Sequence, residues 1–244
     1  TAEHRSMTVL QAIAALNTHR TQQAFSVHPH TPTPMCTPAV IFVDQGSPPR
    51  NGSVRSALLR PAWRHALHSE LRGLLNTGAV EYIRRANIPA DAKILRSGVT
   101  YANKTASTGQ VVRNKARIHV QGQQAREGVD FEPEHVSSPV VDRYTLRVAL
   151  ALATQYDLIA FAIDFEQAYL NAPLQEQHLY MTGLAGLTAK DEQGHDMLLR
   201  IRKSLFGLPQ SAYNWNTLVV QQLVDLGFKQ LKTDPCTFVM WRPG

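Results

Sequence analysis

Hydrophobic and polar positions along this chain fall into three patterns, each predicting a different kind of element. After Pro61, the residues Trp63, Leu67, Leu71, Leu74 and Leu75 recur at helical spacing, with the proline just ahead of the first turn and Gly78 as a stop. A second helix is predicted through Trp215, Leu218, Val219, Leu223 and Leu226, closed by Gly227. A third carries Leu146, Val148, Ala149, Leu150, Leu152 and Ala153, with Asp142 placed to cap it. Arg117 to Gln121 alternates, Ile118 and Val120 sharing one side, as a half-buried strand does. Leu158 to Ile163 is instead continuously apolar, the pattern of a strand buried on both faces, and Leu198 to Ile201 predicts one more strand. Helices and strands follow one another irregularly, which predicts an α+β fold rather than a doubly wound parallel sheet.

The N-terminal part reads differently. Met7, Leu10, Ile13 and Leu16 mark a short amphipathic helix, after which seven of the 14 prolines fall between Pro29 and Pro61. Proline removes backbone donors and restricts the residue before it. Residues 1–60 are therefore expected to form a Pro-rich, largely flexible linker, and residues 61–244 the folded unit. A loop rich in Gly, Pro and Ser runs from Gly122 to Pro139, and no internal repeat is visible.

Composition narrows the class. At about 100–200 residues per domain, 244 residues make one domain with an appendage or two small ones, and 43% apolar residues suffice for a core. No apolar run reaches the ~20 residues of a membrane-spanning helix, and the start lacks the layout of a signal peptide. Cys36 and Cys236 have no partnering pattern, so neither a disulfide scaffold nor a zinc finger is expected. This leaves an intracellular, mildly basic globular protein with no membrane partner. The net charge of +6 is uneven: nine bases and one acid lie between Arg84 and Arg126, then twelve acids and three bases between Glu127 and Leu199. Such blocks suit an enzyme that neutralises phosphates on one face and holds a cation on another; they also suit two solvated faces that differ in sign.

Asp164, at the exit of the apolar run, is the most informative position. A carboxylate there is either a turn or cap residue or one of the few carboxylates a magnesium site presents to phosphates. Its surroundings, Ile163-Asp-Phe-Glu-Gln-Ala-Tyr-Leu-Asn-Ala-Pro173, resemble the first catalytic motif of copia-type retrotransposon reverse transcriptases. The likeness continues in order. Trp63 through Glu70 is similar to that family's opening helix, and Lys115-Ala-Arg-Ile-His-Val-Gln-Gly122 to its fingers strand. Gly128-Val-Asp-Phe, Ser138-Pro-Val-Val141, Lys203-Ser-Leu-Phe-Gly-Leu-Pro-Gln210 with Trp215, and Asp234-Pro-Cys-Thr-Phe238 each resemble a family segment in register.

The resemblance implies a right-hand polymerase fold, of which this chain would supply the fingers and part of the palm after a Pro-rich linker. It implies RNA-directed DNA synthesis as a segment of a Pol polyprotein, with an RNA or DNA template and primer, deoxynucleoside triphosphates, and downstream polymerase and ribonuclease H segments as partners. Two Mg2+ ions (Mn2+ as a substitute) about 3.5–4 Å apart would be held in a complete domain. Asp164 would bridge them and the Phe165 carbonyl would add a ligand. Tyr169 would stand beneath the incoming sugar and exclude a 2′-hydroxyl, or serve only as core. Gln210 would pack along nucleotide and template base, with the turn at Gly207 allowing close backbone approach. Lys115 and Arg117, two apart and so on one face of a strand, would hold triphosphate oxygens or stand merely solvated. Lys104 and Arg113 would track the nucleic-acid backbone.

The family's second carboxylate pair, an aromatic-x-Asp-Asp hairpin, is expected beyond Phe238, yet no Asp-Asp dipeptide occurs in these 244 residues. Gln121 replaces a usual lysine, and Pro-Gln-Ser-Ala-Tyr-Asn drops a basic residue near Gln210. The alternative expectation is therefore a catalytically dead remnant with weak nucleic-acid binding, this chain alone being a very poor polymerase. A phosphate-binding domain of another family leaves the ordered motifs unexplained.

Overall fold

The computed structural model describes residues 43–175 and 178–241, so the helix expected around Met7 and Leu16 lies outside the described residues. Helix α1 spans Val54–Leu58 and α2 spans Pro61–Asn76. The spacing that predicts α2 is the spacing that buries it: Trp63, Leu67, Leu71 and Leu74 all face inward. Proline occupies its first turn, and the chain leaves through Gly78 at φ +65°. Four strands follow, β1 (Val80–Ile83), β2 (Ile94–Leu95), β3 (Ser97–Thr105) and β4 (Val111–Val120). Strands β3 and β4 form an antiparallel hairpin whose register runs from Ser97 opposite Val120 to Lys104 opposite Arg113, then shifts by a bulge.

The hairpin's inner face, Val99, Tyr101, Ala116, Ile118 and Val120, packs on α2, and Trp63 meets Tyr101 edge-on at 5.4 Å. A two-stranded hairpin is marginal alone; here its edges are also covered. The Gly52 N–H donates to the Val99 carbonyl, the Tyr101 N–H to Asn51 Oδ1, and the Ile118 N–H to Glu70 Oε1 of α2. Beyond a long loop lie α3 (Arg143–Gln155), β5 (Tyr180–Met181), β6 (Leu198–Ile201) and α4 (Ser211–Asp225), then a ribbon of β7 (Lys229–Gln230) and β8 (Phe238–Val239). A four-stranded sheet in the order β1-β6-β5-β2 completes the core, antiparallel except for the β2–β5 pair. The α+β expectation is thus met. No described helix is long and apolar enough to cross a membrane.

Two expectations are corrected. Within the linker expected over residues 1–60, residues 43–60 are tied to the fold, and residues 1–42 lie outside the described residues. The Asp44 N–H donates to Asn114 Oδ1 and the Asn114 amide donates back to the Asp44 carbonyl, while Gln45 pairs in the same two-way fashion with the Val111 backbone. Arg60 closes the loop on Asp44 at 2.6 Å, and Ala57 is fully buried. Prolines at 48 and 49 shape this stretch without freeing it, because side-chain amides supply the donors that proline lacks.

The strand predicted from Leu158 to Ile163 does not form. A strand requires a neighbour for its backbone groups, and among the described residues none pairs with this run. Leu158, Ile159, Phe161 and Ile163 are exposed, as are Leu146, Val148, Leu150 and Leu152 of α3. The predicted cap of α3 is present: Asp142 Oδ1 accepts from the Tyr144 N–H at 2.7 Å. Among the described residues this apolar pattern has no surface to pack against.

Core and exposed apolar positions should therefore separate in one thermal-denaturation series. Leu67→Ala is expected to cost about 2–5 kcal/mol. Leu150→Ser and Phe161→Ser are expected to leave the unfolding midpoint nearly unchanged while reducing binding of a hydrophobic dye. A large midpoint loss from Phe161→Ser would show that the run is packed.

Candidate functional site

The pleat of β4 sorts its residues by chemistry. Asn114, Ala116, Ile118 and Val120 are buried, whereas Arg113, Lys115 and Arg117 alternate with them on the other side. At two-residue intervals the three cations stand about 6.8 Å apart along the strand. Lys104 of β3 lies directly opposite Arg113, so all four predicted basic residues share one hairpin face. Like charges directly opposed across strands are destabilising, and the face is suited to an anion that offsets the repulsion. Glu70 is the nearby countercharge. Burial raises its carboxyl above the usual range, although the Ile118 N–H and the cations Arg117, Lys115 and Arg113 act against this. Burial also pulls the Lys115 ammonium below its ordinary value, with Arg117 and Lys104 adding to the shift and Glu70 opposing it.

The inner end of this face meets the turn before α4. The Val120 N–H donates to the Phe206 carbonyl at 2.8 Å. Gly207 sits at φ +94°, where a Cβ would collide with the Val120 carbonyl, and a Cβ on Gly122 would collide with the Gly207 carbonyl. The two glycines thus let turn and strand touch through their backbones. That contact sets side chains in a row: the Arg117 guanidinium lies over the Phe206 ring, 4.0 Å from its centroid, and Phe206 meets Tyr169 at 5.0 Å, tilted by 56°.

Gln210, at the end of the same turn, is only 1% exposed, its Nε2 donating to the Asp130 carbonyl at 3.1 Å. Its Oε1 is buried and has no hydrogen-bond partner among the described residues. Asp130 is anchored in turn by Arg126, whose backbone N–H, Nε and Nη2 donate to its carboxylate at 2.7, 3.0 and 2.9 Å. Burial alone raises the Asp130 carboxyl, but these bonds outweigh it and hold the group below the usual range.

Asp164 is exposed, on the irregular segment that replaces the predicted strand. Phe165 is half-buried, its ring edge-on to Trp215 of α4 at 5.2 Å. Among the described residues no three His, Cys, Asp or Glu side chains gather to hold an ion. The described residues therefore do not by themselves fit the pair of metal ions that the resemblance implies.

The structure thus brings together Arg117, Lys115 and Tyr169, with Lys104 and Arg113 farther out on the same face and Gln210 buried at the end of the turn. Sequence reasoning gave no role to Phe206, Glu70 or Asp130. All three lie inside segments that resemble the family, but their partners are distant in sequence.

The fold and this face define a class: an α+β domain that presents clustered cations beside a glycine turn and a wall of aromatic rings. The particular family follows from comparison. A family model described as reverse transcriptase (RNA-dependent DNA polymerase) matches residues 81–242, and the chain belongs to that family. It is 26% identical over 202 residues to the retrovirus-related Pol polyprotein from transposon TNT 1-94 of Nicotiana tabacum, covering 83% of this chain and 15% of that protein. Similar proteins from Arabidopsis thaliana are the Pol polyproteins from transposons RE1, 26% identical over 229 residues (94% of this chain, 15% of that protein), and RE2, 27% identical over 180 residues (74% and 12%). The chain spans only 12–15% of the length of these relatives. No solved structure matches it. The resemblance to copia-type reverse transcriptases is thus borne out as family membership.

The Arg126–Asp130 pair gives a signed pH expectation. A carboxyl held low in the folded state contributes stability that is present above its unfolded pKa and lost as pH falls through the folded one. The parent chain's unfolding midpoint is expected to drop below about pH 4, and Asp130→Asn to lower the midpoint at pH 7 while flattening that acid-side drop. Equal acid sensitivity in parent and variant would contradict the assignment.

Proposed function

We propose that this chain is the nucleotide- and nucleic-acid-holding part of a retrotransposon Pol reverse transcriptase that carries out RNA-directed DNA synthesis. The observation that carries the reading is the alignment of Lys104, Arg113, Lys115 and Arg117 on one hairpin face that ends at the Phe206–Gln210 turn. Its inner end, Lys115 and Arg117, holds the triphosphate of a deoxynucleoside triphosphate, Arg117 through its forked donors. Tyr169, beside Phe206, excludes a 2′-hydroxyl by its bulk. The outer cations, Lys104 and Arg113, take backbone phosphates of the template and primer. Gln210 supports the base subsite, fixed by the Asp130 loop. On this reading the hairpin belongs to the fingers and the α4 region to the palm.

Asp164 and the Phe165 carbonyl would give one carboxylate and one carbonyl to a magnesium site that other carboxylates would have to complete, where the ion would supply neutralisation of phosphate charge. A second reading, binding without catalysis by this chain alone, is favoured by the exposed, irregular setting of Asp164 and by the absence of a three-ligand cluster among the described residues.

Salt titration of RNA–DNA hybrid binding to the full chain tests the holding role. Affinity is expected to fall steeply with salt, and Arg113→Ala to reduce the log–log slope by about 1. A slope unchanged by Arg113→Ala and Lys104→Ala would reject the face. Primer extension with magnesium separates the two readings: extension abolished by Asp164→Asn supports catalysis, and hybrid binding without extension supports holding alone.

A further inference from the structure

We infer that Phe206 is a positioning residue that couples the triphosphate subsite to the sugar subsite; the inference rests on the roles proposed for Arg117 and Tyr169 and deepens them. The ring meets both residues, the Arg117 guanidinium at 4.0 Å and the Tyr169 ring at 5.0 Å. Its own backbone is fixed by the Val120 N–H on its carbonyl and by the Gly207 approach to Val120, so it moves with β4 rather than with the loop. Arg117 is held from the same strand.

The physical consequence follows from the guanidinium's donors. An arginine side chain has several rotatable bonds, and ordering them costs entropy when an anion binds. A ring beneath the guanidinium restricts those rotations while using none of its N–H donors, which stay available for phosphate oxygens. The same ring also meets Tyr169, and so sets how far Tyr169 stands from Arg117 and where a sugar must lie once its triphosphate is gripped. Discrimination between deoxyribose and ribose by a bulky side chain depends on that distance. A flexible aliphatic residue at position 206 would fill space without fixing either neighbour.

The test uses the full chain, with dATP and ATP as magnesium salts and calorimetric dissociation constants. Phe206→Leu is expected to weaken dATP about fivefold, corresponding to about 1 kcal/mol, and to narrow the dATP-to-ATP preference. Phe206→Tyr is expected to restore both, because the ring returns. Unchanged dATP affinity in Phe206→Leu overturns the inference, as does equal weakening of both nucleotides with no recovery in Phe206→Tyr, which marks mere loosening of the turn. Arg117→Ala separates this inference from the reading beneath it. If Arg117→Ala weakens dATP while Phe206→Leu does not, only the coupling role fails. If Arg117→Ala leaves dATP unaffected, or the parent chain binds no dATP, the triphosphate reading itself fails and takes this inference with it.

Discussion

An extended strand must turn successive side chains to opposite faces, and in β4 that constraint carries both the stability and the chemistry of the domain. Ala116, Ile118 and Val120 go to α2 and the core, and Arg113, Lys115 and Arg117 go outward. A slip of one residue would place guanidinium and ammonium groups against Leu67 and Trp63, where unpaired charge is prohibitively costly. Register is thus fixed twice, by apolar burial and by charge. The turn depends on that register too, since the Val120 backbone receives Phe206 and Gly207 and thereby brings Arg117 to the ring.

The two halves of the site differ in how they are held. The hairpin and turn are supported by α2, Glu70, the Asp130 loop and paired glycines. The segment bearing Asp164 is tied through Phe165 to Trp215, yet the apolar run before it and the outer face of α3 are exposed. Exposed apolar stretches of this kind are expensive in water. The described residues therefore build the cationic hairpin face more fully than a metal centre.

Much of this was legible in the sequence. Helical spacing located α2 and α4, Asp142 was a recognisable cap, and alternation placed Lys115 and Arg117 together, because these features depend on local geometry. Three things were not legible. Periodicity cannot say whether an apolar run finds a partner, so Leu158 to Ile163 read as a strand that the structure does not form. Composition cannot register hydrogen bonds across the chain, so it missed the Asp44–Asn114 exchange that ties residues 43–60 of the expected linker to the hairpin. The Arg117–Phe206–Tyr169 row joins three separated segments, and only the glycine contact between β4 and the turn assembles it. The family motifs named the segments without showing how their side chains meet.

The most direct test of the outward face is a lysine footprint. The chain is treated with an amine-acylating reagent, with and without bound RNA–DNA hybrid, and modification at each lysine is read by mass spectrometry. The account predicts strong protection of Lys104 and of the half-buried Lys115, with the exposed Lys190, Lys229 and Lys232 modified as before. Hybrid binding that leaves Lys104 and Lys115 fully reactive, or that protects all the lysines equally, would contradict it.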